Sequence, residues 1–167
     1  MSRHVDRELA RARLRGAVGQ RDRHSTALAP LVRSLVATLS RTSFGMHVTF
    51  DQHIADDVRV PLDRTDLAEV LGNLLENAAR HAAKGVRISF ESDGSILIED
   101  DGPGIPPTQW PRVLERGIRL DERGEGAGLG LAIVQDVLNA YGWRLLLATS
   151  DLGGLKVTIA PPANVTA

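Results

Sequence analysis

The sequence contains no cysteine, which excludes both a disulfide framework and a cysteine-ligated metal centre. It also lacks an excess of charge of either sign. Twenty Lys and Arg stand against 21 Asp and Glu, a formal net charge of −1. No global field therefore recruits nucleic acid or an acidic membrane. No apolar run approaches the roughly 18 residues a membrane span needs. The opening residues MSRHVDRELARARLRG are charged and hold no apolar stretch of the signal-peptide kind. The expected compartment is the cytoplasm. No internal repeat or low-complexity block is present. What remains is 167 residues, 43% apolar and 25% charged, an ordinary balance for one globular domain with an attached arm.

The arm comes first. Val5, Leu9, Ala12 and Val18 lie among many arginines and mark a helix over 3–18 with a thin apolar stripe. Such a helix needs a partner for stability. A second helix is expected over 26–42, with Leu28, Leu31, Val32, Leu35, Val36 and Leu39 at three- and four-residue steps. Short strands follow at 48–50 and 58–60. Asp63 or Asp66 can cap the next helix, which runs to about 83, with Glu69 as the capping-box partner of Asp66. Strands are expected at 86–90 and 96–98, joined by the turn formers Asp93 and Gly94. A Gly- and Pro-rich loop covers about 106–127. A helix over 129–141 and two strands, 144–148 and 155–159, complete the domain. The mixture predicts an α+β fold, a mainly antiparallel or mixed sheet covered on one face by helices.

Three segments carry chemistry. On the helix ending near 83, Glu69, Asn73 and Asn77 recur every four residues, with Arg80 and His81 one turn further. They form one polar ridge opposite an apolar face. Asparagine is poor helix chemistry, since it prefers caps and turns. A solvated helix face would carry the same pattern. Its functional alternative is a hard-cation and phosphate site, where amide oxygens are suitable Mg²⁺ ligands. The second segment is Asp100-Asp101-Gly102-Pro103-Gly104, directly after a buried strand. Alone it is a plain turn. Equally, its glycines admit a flat ligand, and its carboxylate can accept from an exocyclic amine. The third is Gly124-Glu125-Gly126-Ala127-Gly128-Leu129-Gly130, opening a helix. A helix start rich in glycine exposes backbone N–H groups to phosphate. No Gly-Lys-Ser/Thr follows, so it is not a P-loop, and no strand–turn–helix unit makes it a dinucleotide fingerprint.

Taken in order, Asn73-Leu-Leu-Glu-Asn77-Ala-Ala-Arg80-His81, Asp100-Asp-Gly102-Pro-Gly104-Ile and Gly126-Ala-Gly128-Leu-Gly130-Leu resemble the N, G1 and G2 boxes of the histidine-kinase ATPase family. That family shares its nucleotide fold with DNA gyrase B, the Hsp90 chaperones and MutL. The resemblance covers about 27–160. It implies a two-layer α/β sandwich and binding of ATP with Mg²⁺. By the resemblance, Asn77 coordinates Mg²⁺ and Asn73 contacts phosphate or the metal's surroundings. Arg80 stands where a lysine is usual, keeping the charge and changing the geometry. His81 lies near the nucleotide. Asp100 takes the adenine amine in a pocket shaped by Gly102 and Gly104. Gly126, Gly128, Leu129 and Gly130 frame the lid's return and the triphosphate. The gyrase and Hsp90 branches carry a water-activating glutamate at the Asn73 place. Asparagine is a poor general base, so rapid hydrolysis is not expected.

The lid departs from the family. Val113-Leu114-Glu115-Arg116-Gly117-Ile118-Arg119 lacks both phenylalanines of the usual F box and looks more like the short lid of PhoQ-type sensor kinases. In that subgroup an arginine at the Arg119 position can reach the γ-phosphate. The acceptor is missing as well. None of His4, His24, His47, His53 and His81 is followed at once by Glu or Asp, as a phosphoacceptor histidine usually is.

The resemblance therefore implies a catalytic segment over 26–161, a tail at 162–167, and over 1–25 the end of a dimerisation helix and a linker. The expected partners are the phosphoacceptor domain of the same kinase and a response regulator. The parent is expected to be a homodimeric inner-membrane sensor, with no nucleic acid and no membrane contact by this segment. Two alternatives remain open at this stage. One is a serine kinase of the anti-sigma-factor type. The other is a nucleotide-binding scaffold without phosphotransfer.

Overall fold

The computed structural model describes residues 25–115 and 127–163, with only the backbone course for 127–130. A short strand β1 (Thr26–Ala27) leads into α1 (Leu28–Leu39). Strands β2 (Thr49–His53) and β3 (Arg59–Val60) follow, then the long helix α2 (Arg64–His81). Strands β4 (Gly85–Phe90) and β5 (Ile96–Asp100) form a hairpin whose turn holds Gly94 at φ +88°. A 3₁₀ turn (Pro107–Gln109) and a short helix α3 (Trp110–Leu114) precede α4 (Ala127–Tyr141). The chain closes with β6 (Arg144–Thr149) and β7 (Leu155–Ala160).

The main sheet has five strands in the order β2-β4-β5-β7-β6, and a two-stranded sheet pairs β1 with β3. β2 runs parallel to β4, while every other pairing in the main sheet is antiparallel. The fold is thus the mixed α+β sandwich expected. Period-2 alternation decides which side of the sheet meets the helices. Val86, Ile88, Ile96, Ile98, Val157 and Ile159 face inward and join Leu67, Leu71, Leu74 and Leu75 of α2 in one core. Removing each such side chain from water contributes about 1.5–3 kcal/mol. On the other side, the register aligns Asp51, Arg87, Glu99 and Lys156 across four strands, alternating in sign. Opposite charges placed directly across strands favour this register.

α2 starts at Asp63, whose carboxylate accepts from Thr65 N at 3.0 Å. Of the two expected caps, Asp63 is therefore the one used. Asp66 does other work: its carboxylate accepts from Tyr141 Oη at 2.5 Å and ties the start of α2 to the end of α4.

Two expectations need correction. The segment from 106 is not all loop, since 107–114 forms the 3₁₀ turn and α3. Prolines there suggested a loop, yet Pro is well tolerated in a first helical turn. Trp110 Nε1 also donates to Ile105 O at 2.9 Å and pins that turn. Residues 26–27 are strand rather than helix, because they pair with β3. The expected helix over 3–18, the histidines at 4 and 24 and the tail from 164 lie outside the described residues.

Candidate functional site

Asp100 ends β5, the middle strand of the sheet, and is 4% exposed. Its Oδ1 accepts from Gly102 N at 2.9 Å and from Leu155 N at 3.4 Å. No donor to Oδ2 is found among the described residues. Burial pushes this carboxyl above its ordinary value, while the two N–H donors and nearby His81 pull the other way. A desolvated carboxylate with an oxygen to spare is a strong acceptor for a ligand donor.

The segments around Asp100 pack closely because side chains are missing. A Cβ on Gly102 would lie 2.1 Å from His81 O, and one on Gly154 would lie 2.2 Å from Asp100 Oδ1. Gly104, at φ +70°, approaches Gly154 on the β6–β7 turn. The turn 100–104 is therefore wedged between the last turn of α2 and the hairpin 150–155.

Asp101, the next residue, faces the other way. Its carboxylate accepts from Ala83 N at 2.8 Å and Lys84 N at 2.9 Å, which holds it below its ordinary range. This latch fixes the end of α2 against the Asp100 turn. Asn77 and His81 consequently stand on the helix segment that the turn touches.

Further along α2, Asn73 Nδ2 donates to Glu69 O at 2.7 Å. That bond leaves the amide oxygen Oδ1 without a partner among the described residues. Glu69 itself is raised by partial burial, then by the charge of Asp66. Arg80 forks Nε and Nη2 onto Glu76 Oε1 at 3.1 and 2.8 Å and stacks over the Phe44 ring at 4.1 Å. Gly128, Leu129 and Gly130 fall in the first turn of α4, which packs along α2. Arg119 and Gly126 lie outside the described residues.

The structure thus brings Asp100, Gly102, Gly104 and His81 together, with Asn77 one turn back on the same helix. Two participants went unrecognised in the sequence. Gly154 packs against Asp100 from the β6–β7 turn, and Asp101 latches the loop after α2. The signal for the first was the doublet Gly153-Gly154, which reads equally as a hairpin turn. For the second it was a carboxylate placed where two loop amides needed an acceptor.

Comparison with known proteins places this geometry in context. Residues 62–165 match the family described as histidine kinase-, DNA gyrase B-, and HSP90-like ATPase. The sensor protein kinase CarS of Pseudomonas aeruginosa is 42% identical over 165 residues, covering 97% of this chain and 36% of CarS. The two-component sensor PhoQ of the same organism is 38% identical over 159 residues, covering 92% of this chain and 35% of PhoQ. The chain thus spans about a third of the length of these curated relatives. Among solved structures, a mycobacterial sensor histidine kinase, MprB, superposes with a TM-score of 0.70 at 25% identity, over 83% of this chain and 99% of that one. The buried aspartate, the glycine cradle around it and the asparagine ridge stand within the matched segment, and the chain belongs to the histidine kinase-, DNA gyrase B- and HSP90-like ATPase family.

Proposed function

We propose that this chain is the ATP-binding catalytic segment of a sensor histidine kinase, and that it donates the γ-phosphoryl group of ATP to a histidine on a separate dimerisation segment. The observation that carries the proposal is the Asp100 carboxylate, buried, unmatched at Oδ2, and set among glycines against the end of α2. That arrangement suits a flat base with an exocyclic amine. Family membership and the names of CarS and PhoQ direct the choice towards a kinase.

In this scheme Asp100 accepts from the adenine amine, and Gly102, Gly104 and Gly154 admit the ring. Asn77 and Asn73 hold Mg²⁺ through their amide oxygens, a donor set that suits a hard cation. The tie from Asn73 Nδ2 to the Glu69 carbonyl favours that role, since it turns the nitrogen away and leaves Oδ1 for the metal or its water. Mg²⁺, when bound, neutralises charge on the phosphate oxygens. Arg80 and Arg119 add positive charge at the phosphates, and Gly126, Gly128, Leu129 and Gly130 frame them with backbone N–H groups. His81 lines the adenine side. Asn73 cannot serve as a general base, which preserves the terminal phosphoryl group for transfer. That group leaves the β-phosphate oxygen, bonds a histidine nitrogen on the partner domain, and passes on to a response regulator. In this scheme 26–161 are the catalytic segment, and 1–25 and 162–167 lie outside it. The parent is a homodimeric membrane sensor, and this part works on the cytoplasmic side. Among the described residues no helix is long and apolar enough to cross a membrane.

Two measurements test the scheme. The chain is incubated with γ-labelled ATP, alone and with a supplied dimerisation domain. Label is expected on a histidine of the supplied domain and none on the isolated chain. Stable label on the chain alone, or label on serine, would refute it. In parallel, ATP and ADP are titrated with and without Mg²⁺. Asp100→Asn is expected to weaken both nucleotides by about tenfold to a hundredfold, the worth of a hydrogen bond to a charged group. Asn77→Ala is expected mainly to remove the Mg²⁺ dependence. Unchanged binding in both variants removes the site assignment.

A further inference from the structure

Arg80 is the one residue of the polar ridge that already has elaborate company. Its Nε and Nη2 both donate to Glu76 Oε1, one turn earlier on α2. The guanidinium lies flat over Phe44 at 4.1 Å from the ring centre. Phe44 comes from the loop between α1 and β2, 36 residues away in sequence. That loop is itself tied down. Thr42 Oγ1 donates to Leu39 O at 2.6 Å and accepts from Gly45 N at 3.1 Å, and Met46 N donates to Thr42 O at 3.0 Å. Phe44 also packs against the edge of the core. The ring is therefore a fixed platform.

We infer that Phe44 and Glu76 are positioning residues that orient the Arg80 guanidinium for the polyphosphate of the nucleotide. The inference rests on the nucleotide-binding function proposed above. A guanidinium offers several edges. Glu76 occupies the edge formed by Nε and Nη2, and stacking on Phe44 fixes the plane. Nη1 has no partner among the described residues, and Nη2 keeps a second hydrogen. The remaining edge is thus held ready for two phosphate oxygens, three residues beyond Asn77 on the same helix. A lysine could not be held this way, because its ammonium has no plane to stack and its three donors rotate freely. The trio accounts for arginine at a place where a lysine is usual. Both ionic groups are 42% exposed, so the pair itself is worth little to stability. Its effect is to limit the orientations Arg80 must give up on binding.

The test is a titration of the full chain with Mg²⁺·ATP and, separately, with adenosine. Phe44→Leu and Glu76→Gln are each expected to weaken ATP by about threefold to tenfold, in line with exposed cation–π and charged contacts. Adenosine, which has no phosphate, should bind unchanged. Phe44→Trp should keep ATP affinity, because it restores the aromatic face. In an Arg80→Met background, Phe44→Leu and Glu76→Gln should have no further effect. Equal losses for ATP and adenosine would overturn the inference, as would a full effect of Phe44→Leu without Arg80. Tighter ATP binding by Glu76→Gln would show that Glu76 repels phosphate rather than positioning Arg80. Failure of the underlying function looks different: adenosine would not bind the unmodified chain, or would ignore Asp100→Asn.

Discussion

A single methyl group on Gly154 would meet three atoms at once. Its carbon would stand 2.2 Å from Asp100 Oδ1, 2.5 Å from Asp100 O and 2.7 Å from Gly102 N. Two of these are backbone atoms, and Oδ1, a side-chain end, is held in place by its bonds from Gly102 N and Leu155 N. Asp100 closes the central strand and is buried, so the β6–β7 turn and the Asp100 turn must separate. That strains or breaks the bonds from Gly154 N to Asp100 O at 3.1 Å and from Leu155 N to Asp100 Oδ1 at 3.4 Å. Overpacking of this kind costs about 1–3 kcal/mol, and each lost hydrogen bond about 0.5–1.5 kcal/mol. Gly154→Ala should therefore cost about 2–4 kcal/mol in urea unfolding and should lower adenosine affinity by at least about tenfold, as expected when a hydrogen-bonded charged acceptor is displaced.

Gly153→Ala is the control. Gly153 sits at φ +105°, where a side chain is strained, but its Cβ would meet nothing within 4 Å. It should lose about 1–3 kcal/mol through backbone strain and still bind adenosine normally. The pair separates stability from pocket shape, because both variants are destabilised and only one is occluded. Adenosine binding by folded Gly154→Ala at unmodified affinity would refute the account of the pocket.

Two further outcomes follow from the ionisation of named groups. Burial raises Asp100, and its ionised form is the acceptor, so adenosine affinity should fall with decreasing pH before the ordinary carboxylate range near about 4 is reached. The same shift means that ionising Asp100 costs folding stability above its raised value. Asp100→Asn should accordingly flatten the pH profile of adenosine binding, followed by calorimetry, and raise the melting temperature at neutral pH. Tyr141 is also raised, by burial and by its bond to Asp66. Its contribution is complete below the unfolded value of about 10 and is lost as pH climbs through the folded value. Tyr141→Phe should cost about 1–2 kcal/mol at pH 8 in urea unfolding and lessen the alkaline loss of stability expected of the unmodified chain. A Phe variant that still loses stability above pH 10, to the same degree, would rule out this clasp.

The helices and the antiparallel strands were legible because periodicity is local. α2 and α4 show their apolar faces at helical spacing, and the β4–β5 hairpin announces itself through Asp93 and Gly94. Pairings between distant segments were not legible. The parallel partnership of β2 with β4 and the small sheet of Thr26–Ala27 with Arg59–Val60 depend on tertiary contacts that leave no mark in a short window. The same division holds at the site. Asp100, Gly102 and Gly104 were readable as a motif, as was the ridge from Asn73 to His81. Gly154 was not, since its role lies in its distance from Asp100 rather than in its neighbours. Nor was Phe44, because an aromatic in a loop says nothing about which cation it will meet.

The Asp101 latch grips Ala83 and Lys84 only by their main-chain amides, while both side chains face solvent. Those two side chains take no part in the latch, although they stand beside the Asp100 turn. Because the chain has no native thiol, an Ala83→Cys variant would give one unique labelling point. A fluorophore there would ride on the loop joined to the Asp100 turn, and under the proposed function its emission should change when a nucleotide binds.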